Sequence, residues 1–253
     1  MTEKQMSKQY DEGNASERYT TYNLSDPVKE FVHYSNAVRL LGDIEEKRIL
    51  DIGCGSGRLA RMLASRGAKV IGYDSSIEQL KIASEIERNN PLGIKYLMGD
   101  FGDFGTGIHQ IPALSCDKAV AMFSLMYAKD QGELELAMGT AAFHLKEGGK
   151  LVGLVMNPEF KRFGILMGQT SWTKISDGKI DFQFYDSKGE MLGHFRQTRF
   201  SYEDYEGAAR EDFSDFKWEP VIVTPESRAK LPKNYLSAFR GIQPNICFTA
   251  SKK

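Results

Sequence analysis

The sequence predicts an α/β fold: a mostly parallel sheet with helices on both faces and an antiparallel β insertion after the fifth strand. Three observations predict it. Between residues 47 and 157, apolar runs of strand length alternate with amphipathic stretches, and glycines punctuate the joints at Gly67, Gly93 and Gly148-Gly149. The first apolar run, Ile49-Leu50-Asp51-Ile52, ends in Gly53, Gly55 and Gly57 and leads into a helical pattern. After Asn157 the period changes, and Lys179-Ile180-Asp181-Phe182-Gln183-Phe184 alternates as an antiparallel strand does.

Composition sets the outer limits. A length of 253 residues with 41% apolar residues suits a globular chain with a sizeable core. A net charge of −1 supplies no field for nucleic acid, so none is expected as a partner. No apolar run approaches the ~20 residues of a membrane span, and the polar stretch from Met1 to Asn14 is unlike a secretory signal. Cys54, Cys116 and Cys247 are far apart, without metal-ligand spacing, and read as free thiols of a reducing compartment. The expectation is a cytoplasmic monomer or homodimer with no metal, nucleic-acid or membrane partner.

Residues 1–46 are expected to form an N-terminal helical lid. Its polar start carries Tyr10, Tyr19 and Tyr22, rings that a segment without a core usually lacks. They either order over a ligand or anchor a surface segment. Asp26-Pro27 supplies an N-cap and a first-turn proline. Val28, Phe31, Val32, Ser35, Val38 and Leu41 follow at helical spacing, and Gly42 stops the helix. Strands are expected at 47–53, 68–74, 94–100, 116–123 and 150–157, with helices at 57–66, 76–90 and 131–146. Right-handed crossovers then place a ligand at the carboxyl ends of the strands. Residues 158–200 are rich in aromatics, carry turns at Ser176-Asp177-Gly178 and Ser187-Lys188-Gly189, and read as an insertion over those strand ends. A helix from Ser201 to Phe213 follows, with Ser201 as N-cap and Asp204 in the capping-box position. Strands at 216–223 and 246–250 close the chain, so that 47–157 and 201–253 form the main domain.

The glycine loop separates two ligand classes. A dinucleotide turn reads G-x-G-x-x-G and sets a helix N-terminus on a pyrophosphate. Here the pattern is Asp-x-Gly-x-Gly-x-Gly, from Asp51 to Gly57. A carboxylate at that place repels a pyrophosphate and suits a cationic ammonium or sulfonium. The loop resembles the S-adenosylmethionine loop of class I methyltransferases, and residues 47–157 resemble that family more widely. The resemblance implies a Rossmann-like sheet of seven strands ending in an antiparallel pair, S-adenosyl-L-methionine as cofactor, and methyl transfer. Tyr10-Asp11 with the tyrosines after it, and the stretch from Trp218 to Glu226, resemble the small-molecule branch of natural-product pathways, including toxoflavin-type enzymes.

Four strand ends are then expected to hold the cofactor. The loop supplies Asp51, Gly53, Cys54, Gly55 and Gly57. Asp74 ends the second strand, where an acid can accept both ribose hydroxyls, with Ser75 and Gln79 beside it. Taken alone, such an acid is a helix cap. Gly99, Asp100 and Phe101 end the third strand: the carboxylate could accept from the adenine amino group and the ring could lie against the base. Met122, Phe123 and Tyr127 leave the fourth strand as soft or aromatic faces for a sulfonium, or else as core.

Methyl transfer from a sulfonium is mostly positioning, with a base needed for a hydroxyl acceptor. Tyr10, His33 and His194 are the candidate proton acceptors, and Tyr10 and His33 the catalytic candidates. Tyr19, Tyr22, Trp172 and His194 are candidate substrate contacts. Cys54 inside the loop reads as packed rather than nucleophilic. No Pro-Cys loop or Asn/Asp-Pro-Pro-aromatic loop follows the fourth strand, which argues against base methylation of cytosine or adenine. Asp100, Asp103 and Asp117 make no convincing oxygen set for a metal. The leading expectation is methylation of N or O on a small aromatic or heterocyclic metabolite. RNA or protein methylation would ask for a basic stripe, but Lys161-Arg162 and Lys252-Lys253 are scattered. A module that binds S-adenosylmethionine without chemistry is a further alternative, and a nicotinamide oxidoreductase a distant one.

Overall fold

The computed structural model describes residues 6–101, 110–175, 177–233, 235, 239 and 241–253. Asp103 and Ser176 lie outside the described residues. The chain opens with a 3-10 turn (Met6–Asp11) and helix α1 (Ala15–Ser25), then a π-helical stretch (Lys29–Tyr34) that runs into α2 (Ser35–Leu41). The expected helix after Asp26 is therefore not a plain α-helix. Its wide turn brings Lys29 and His33 into the interior, where both are buried. Asp26 caps it through the Val28 N–H, which donates to Oδ1 at 3.0 Å.

Strands β1 (Arg48–Ile52), β2 (Lys69–Asp74), β3 (Lys95–Met98), β4 (Cys116–Met122) and β5 (Leu145–Met156) alternate with α3 (Arg58–Ala64), α4 (Ile77–Asn89) and α5 (Gln131–His144). Next come β6 (Thr170–Lys174), β7 (Lys179–Tyr185) and β8 (Met191–Thr198), then α6 (Tyr202–Ala209), β9 (Phe213–Glu219), α7 (Pro225–Lys230) and β10 (Asn245–Lys252). The main sheet runs β3-β2-β1-β4-β5-β10-β9, with β10 antiparallel to both neighbours and the other pairings parallel. This is the Rossmann-like, seven-stranded arrangement expected.

The central strands are apolar on both faces because helices cover both. Ile49, Val70, Val120 and Val152 pack with Leu41, Leu59 and Leu63 on one side. Leu50, Ile52, Ala119 and Leu151 pack with Leu134, Met138 and Ala141 on the other. The expected helix from Ser201 to Phe213 ends early, at Ala209, although its capping box between Ser201 and Asp204 is formed. Tyr205, Ala209 and Phe213 stand four residues apart and mimic a helix face in the sequence. Pairing of Phe213 with Lys252 at the sheet edge takes the last of them into β9.

A second, antiparallel sheet runs β6-β7-β8. The alternation of β7 buries Ile180, Phe182 and Phe184 on one face. Against that face packs the N-terminal segment: Tyr10 lies 4.1 Å from Phe195 and Tyr22 lies 5.3 Å from Phe184, between ring centroids. Burial of a phenylalanine ring such as Phe184 contributes about 1.5–3 kcal/mol of transfer free energy. Among the described residues, no helix is long and apolar enough to cross a membrane.

Candidate active site

A cavity of about 720 Å3, partly open to solvent, lies at the carboxyl ends of β1, β2, β3 and β4. The glycine loop forms its floor. Gly53 has φ of 70°, and a Cβ there would fall 2.4 Å from the Ser124 Cβ. The Gly53 and Cys54 N–H groups donate to the Tyr73 carbonyl at 2.9 and 3.0 Å, and Gly55 N–H donates to Asp74 Oδ2 at 2.8 Å. Asp74 Oδ1 accepts from Ser76 N–H at 2.9 Å, so each oxygen keeps a lone pair for a ligand.

Gly57 serves packing. A Cβ there would meet the Tyr96 hydroxyl at 2.2 Å, and the residue is not on the cavity wall. Asp51 also stands behind the loop. It is 2% exposed, accepts from the Ala60 N–H, and its Oδ2 has no partner. Burial, then the Asp74 charge, raises its pKa to about 7; burial raises Asp74 to about 6.

The roof comes from the N-terminal segment. Tyr10, Tyr19, Asn23, Lys29 and Tyr34 line the cavity from above. Asp11 Oδ1 accepts from the Ser76 hydroxyl and the Glu78 N–H at the start of α4. Gln79 Nε2 donates to the Ser16 carbonyl at 3.1 Å, and Arg58 reaches the Asn23 carbonyl and Glu30.

A second cavity of about 620 Å3, also partly open to solvent, adjoins the first. Tyr19, Lys29, Phe123 and Tyr127 line both, so they are the wall between them. Phe123 holds φ of 62°, a left-handed backbone uncommon for a ring residue, and this turn leaves β4 at that wall. Tyr22, Trp172 and Phe182 give the second chamber aromatic sides, and Asp26, His33 and Gln197 give it polar ones.

The comparisons with known proteins agree with this geometry. A methyltransferase-domain family model matches residues 49–149. A ubiquinone biosynthesis O-methyltransferase from Bordetella avium is 41% identical over 225 residues, covering 85% of this chain and 87% of that protein. The chain belongs to the class I S-adenosylmethionine-dependent methyltransferases. An S-adenosylmethionine-dependent methyltransferase from Clostridium acetobutylicum shares the fold at a TM-score of 0.64 and 15% identity, covering 94% of this chain and 99% of its own. A similar fold, at a TM-score of 0.56 and 19% identity over 95% of this chain and 98% of its own, is that of an S-adenosylmethionine-bound amino pentose methyltransferase from Micromonospora echinaspora involved in calicheamicin biosynthesis.

The residues of the methyltransferase's first cavity fit that cofactor. Gln79 Oε1, Ser124 Oγ and Tyr73 Oη line it as buried polar atoms without partners, which is spare capacity for a ligand. Two buried carboxylates with raised pKa values favour a cation at the loop and disfavour a pyrophosphate. Bound there, S-adenosylmethionine supplies a methyl already activated on sulfur, which leaves orientation to the chain.

The structure gathers most of the candidate cofactor residues on one wall: Gly53, Cys54, Gly55, Asp74, Ser75, Gln79, Gly99, Asp100, Phe101, Met122, Phe123 and Tyr127 all line the first cavity. Asp51 and Gly57 lie behind it. Asp100 Oδ1 accepts from the Phe101 N–H at 2.8 Å. Burial holds the Cys54 thiol well above its ordinary pKa, which leaves it protonated. Tyr10 meets the Tyr127 hydroxyl at 2.8 Å, and burial raises its pKa well above 10, so it offers a phenol rather than a phenolate. Burial and the Lys29 charge push His33 down to about 3, which makes it a neutral hydrogen-bonding group and a weak base. Tyr19, Tyr22 and Trp172 reach the second chamber. His194 does not: it lies on the exposed face of β8, 3.8 Å from Asp181, and lines neither cavity. Asp117 pairs with Lys146 at 2.6 Å.

Sequence reasoning passed over Lys29, Asp26, Asn23, Gln197 and Phe182. The alternation of β7 points Phe182 inward and was a usable signal. Lys29 gave none, because a lysine on an amphipathic helix reads as solvated.

Proposed function

We propose that the methyltransferase transfers a methyl group to an oxygen or nitrogen of a small aromatic or heterocyclic metabolite held in the second chamber. The observation that carries this reading is the shared wall: an aromatic-sided chamber abuts the cofactor cavity across Tyr19, Lys29, Phe123 and Tyr127. Such a chamber fits a flat ring with a few polar substituents. Gln197 Oε1 and His33 Nδ1 line it without hydrogen-bond partners, which suits a hydroxyl-bearing ring. The name of the Bordetella avium relative supports oxygen as the acceptor atom. On this reading residues 1–46 act as the lid, 158–200 cover the acceptor, and the cavity wall described above is the cofactor site. An RNA or protein acceptor would need an open groove where this chamber is roofed by rings.

The test is incubation of the protein with isotopically labelled S-adenosylmethionine and a panel of catechols, simple phenols and aromatic amines, read by mass spectrometry. Products carrying one labelled methyl are expected. Tight binding of S-adenosylhomocysteine with no labelled product from any of them, or from a metabolite extract, would instead favour a binding module without chemistry.

A further inference from the structure

Lys29 is a costly residue where it stands. It is 3% exposed, on the π-helical turn, and lines both cavities. Its Nζ donates to the Tyr19 hydroxyl at 2.6 Å and sits 4.5, 5.0 and 5.1 Å from the ring centroids of Tyr19, Tyr22 and Phe123. Among the described residues no carboxylate closes an ion pair with it; Asp26 acts on it from farther off, already holding the Tyr22 hydroxyl and the Val28 N–H. A permanent cation at the wall would also repel a sulfonium in the next cavity. That cost falls away if the amine is neutral when the cofactor binds and becomes charged only beside an anion.

We propose that Lys29 is the catalytic base of this methyltransferase, taking the proton from a ring hydroxyl of the acceptor so that its oxygen attacks as a phenolate. The proposal rests on the second chamber being the acceptor site, and it narrows the acceptor to a hydroxylated ring. The hydroxyl proton passes to the neutral Lys29 Nζ. The O–CH3 bond forms as the S–CH3 bond breaks, and that bond's electron pair stays on sulfur, leaving a thioether. The Lys29 ammonium releases its proton to water when the products leave.

The surroundings support this role. Burial, with a smaller push from Arg58, lowers the Lys29 pKa to about 7 against the pull of Asp26. A base of that strength is poised for proton transfer near neutrality. The other titratable groups at the wall and chamber do not compete: Asp26, its pKa raised by burial, commits its two oxygens to the Tyr22 hydroxyl and the Val28 N–H. Tyr10, Tyr19, Tyr22 and Tyr127 are held as phenols by burial, and His33 is a weak base.

The test compares catechol with 4-nitrocatechol, whose hydroxyl ionises by itself near neutral pH, using wild type, Lys29→Met and Lys29→Arg. For wild type with catechol, kcat/KM should rise through about pH 7 to a plateau. Both variants should lose about 100-fold or more on catechol, and about tenfold or less on 4-nitrocatechol. A cooperative thermal transition checks that each variant is folded, and Lys29→Arg carries the test if Lys29→Met does not fold. Equal losses on both acceptors, or no loss on catechol, would overturn the proposal. If the wild type methylates aromatic amines but neither phenol, the base role is refuted and the acceptor-chamber reading stands. If it methylates nothing in the panel, that reading fails first and the base role with it.

Discussion

The cofactor cavity and the chamber beside it share four residues and are otherwise built in opposite ways. The cofactor cavity takes its floor from turns that leave successive strands, and its key atoms are backbone N–H groups, glycine positions and a strand-end acid. The second chamber is assembled from side chains of α1, the π-helical turn, the small sheet and the segment before β10. The first is a product of local chain geometry; the second exists only once distant segments meet. Changes on one side should therefore separate cleanly from changes on the other.

The largest separation should come from Gly53→Val. A side chain there has no room against Ser124 and needs a left-handed backbone, so S-adenosylhomocysteine binding should vanish in calorimetry. Full binding would mean that the loop does not set the floor. Deleting residues 1–22 removes part of both roofs. Turnover should fall by about 100-fold or more, with a smaller loss of cofactor affinity, as for a segment that closes a site; undiminished turnover would refute the lid. Asp74→Ala should weaken cofactor binding by about 1–3 kcal/mol and leave the acceptor KM unchanged. Unchanged affinity would reduce the acid to a loop and helix cap. Trp172→Ala should do the reverse, raising the acceptor KM about tenfold with the same S-adenosylhomocysteine affinity. A change in cofactor affinity of that size would break the two-chamber picture.

The smallest effect is on stability against pH. Asp51 and Asp74 have folded pKa values of about 7 and about 6, above their ordinary carboxylate value. Their contribution is fully present below the ordinary carboxylate value and is lost progressively as pH rises from there through 6 to 7. His33 and Lys29 work the other way: their folded pKa values are lowered to about 3 and about 7, so His33 offsets part of the carboxylate loss up to its ordinary value, and above about pH 7 the unfolded chain binds more protons through the lysine and stability recovers. The ligand-free protein should therefore show a shallow minimum in melting temperature near neutrality, and Asp51→Asn should flatten its acid side. A melting temperature that rises steadily from pH 4.5 to 7 would contradict the raised carboxylates.

Much of the sheet and the cofactor floor was legible because each depends on a few adjacent residues. Asp51 to Gly57, Asp74 and Asp100 announce turns at strand ends, and the topology puts strand ends together. What the spacing could not say is which member of the loop faces the ligand. Gly57 answers to Tyr96 and Asp51 to Ala60, through contacts from elsewhere in the fold. The second chamber was legible only as a surplus of rings. His194 alternates with Phe195 along β8: with Phe195 inward, His194 faces out, away from the chamber where it was expected. Lys29 was hidden by the wide turn, which changes the face that a helical count assigns to it.

Methyl transfer across the shared wall requires the sulfur end of the cofactor to point toward it. A crystal structure with S-adenosylhomocysteine bound measures this directly. The predicted result is the amino acid end over Gly53 to Gly55, the ribose at Asp74, and the sulfur facing the wall of Tyr19, Lys29, Phe123 and Tyr127. A sulfur turned away from that wall, or a ligand lying in the second chamber instead, would contradict it.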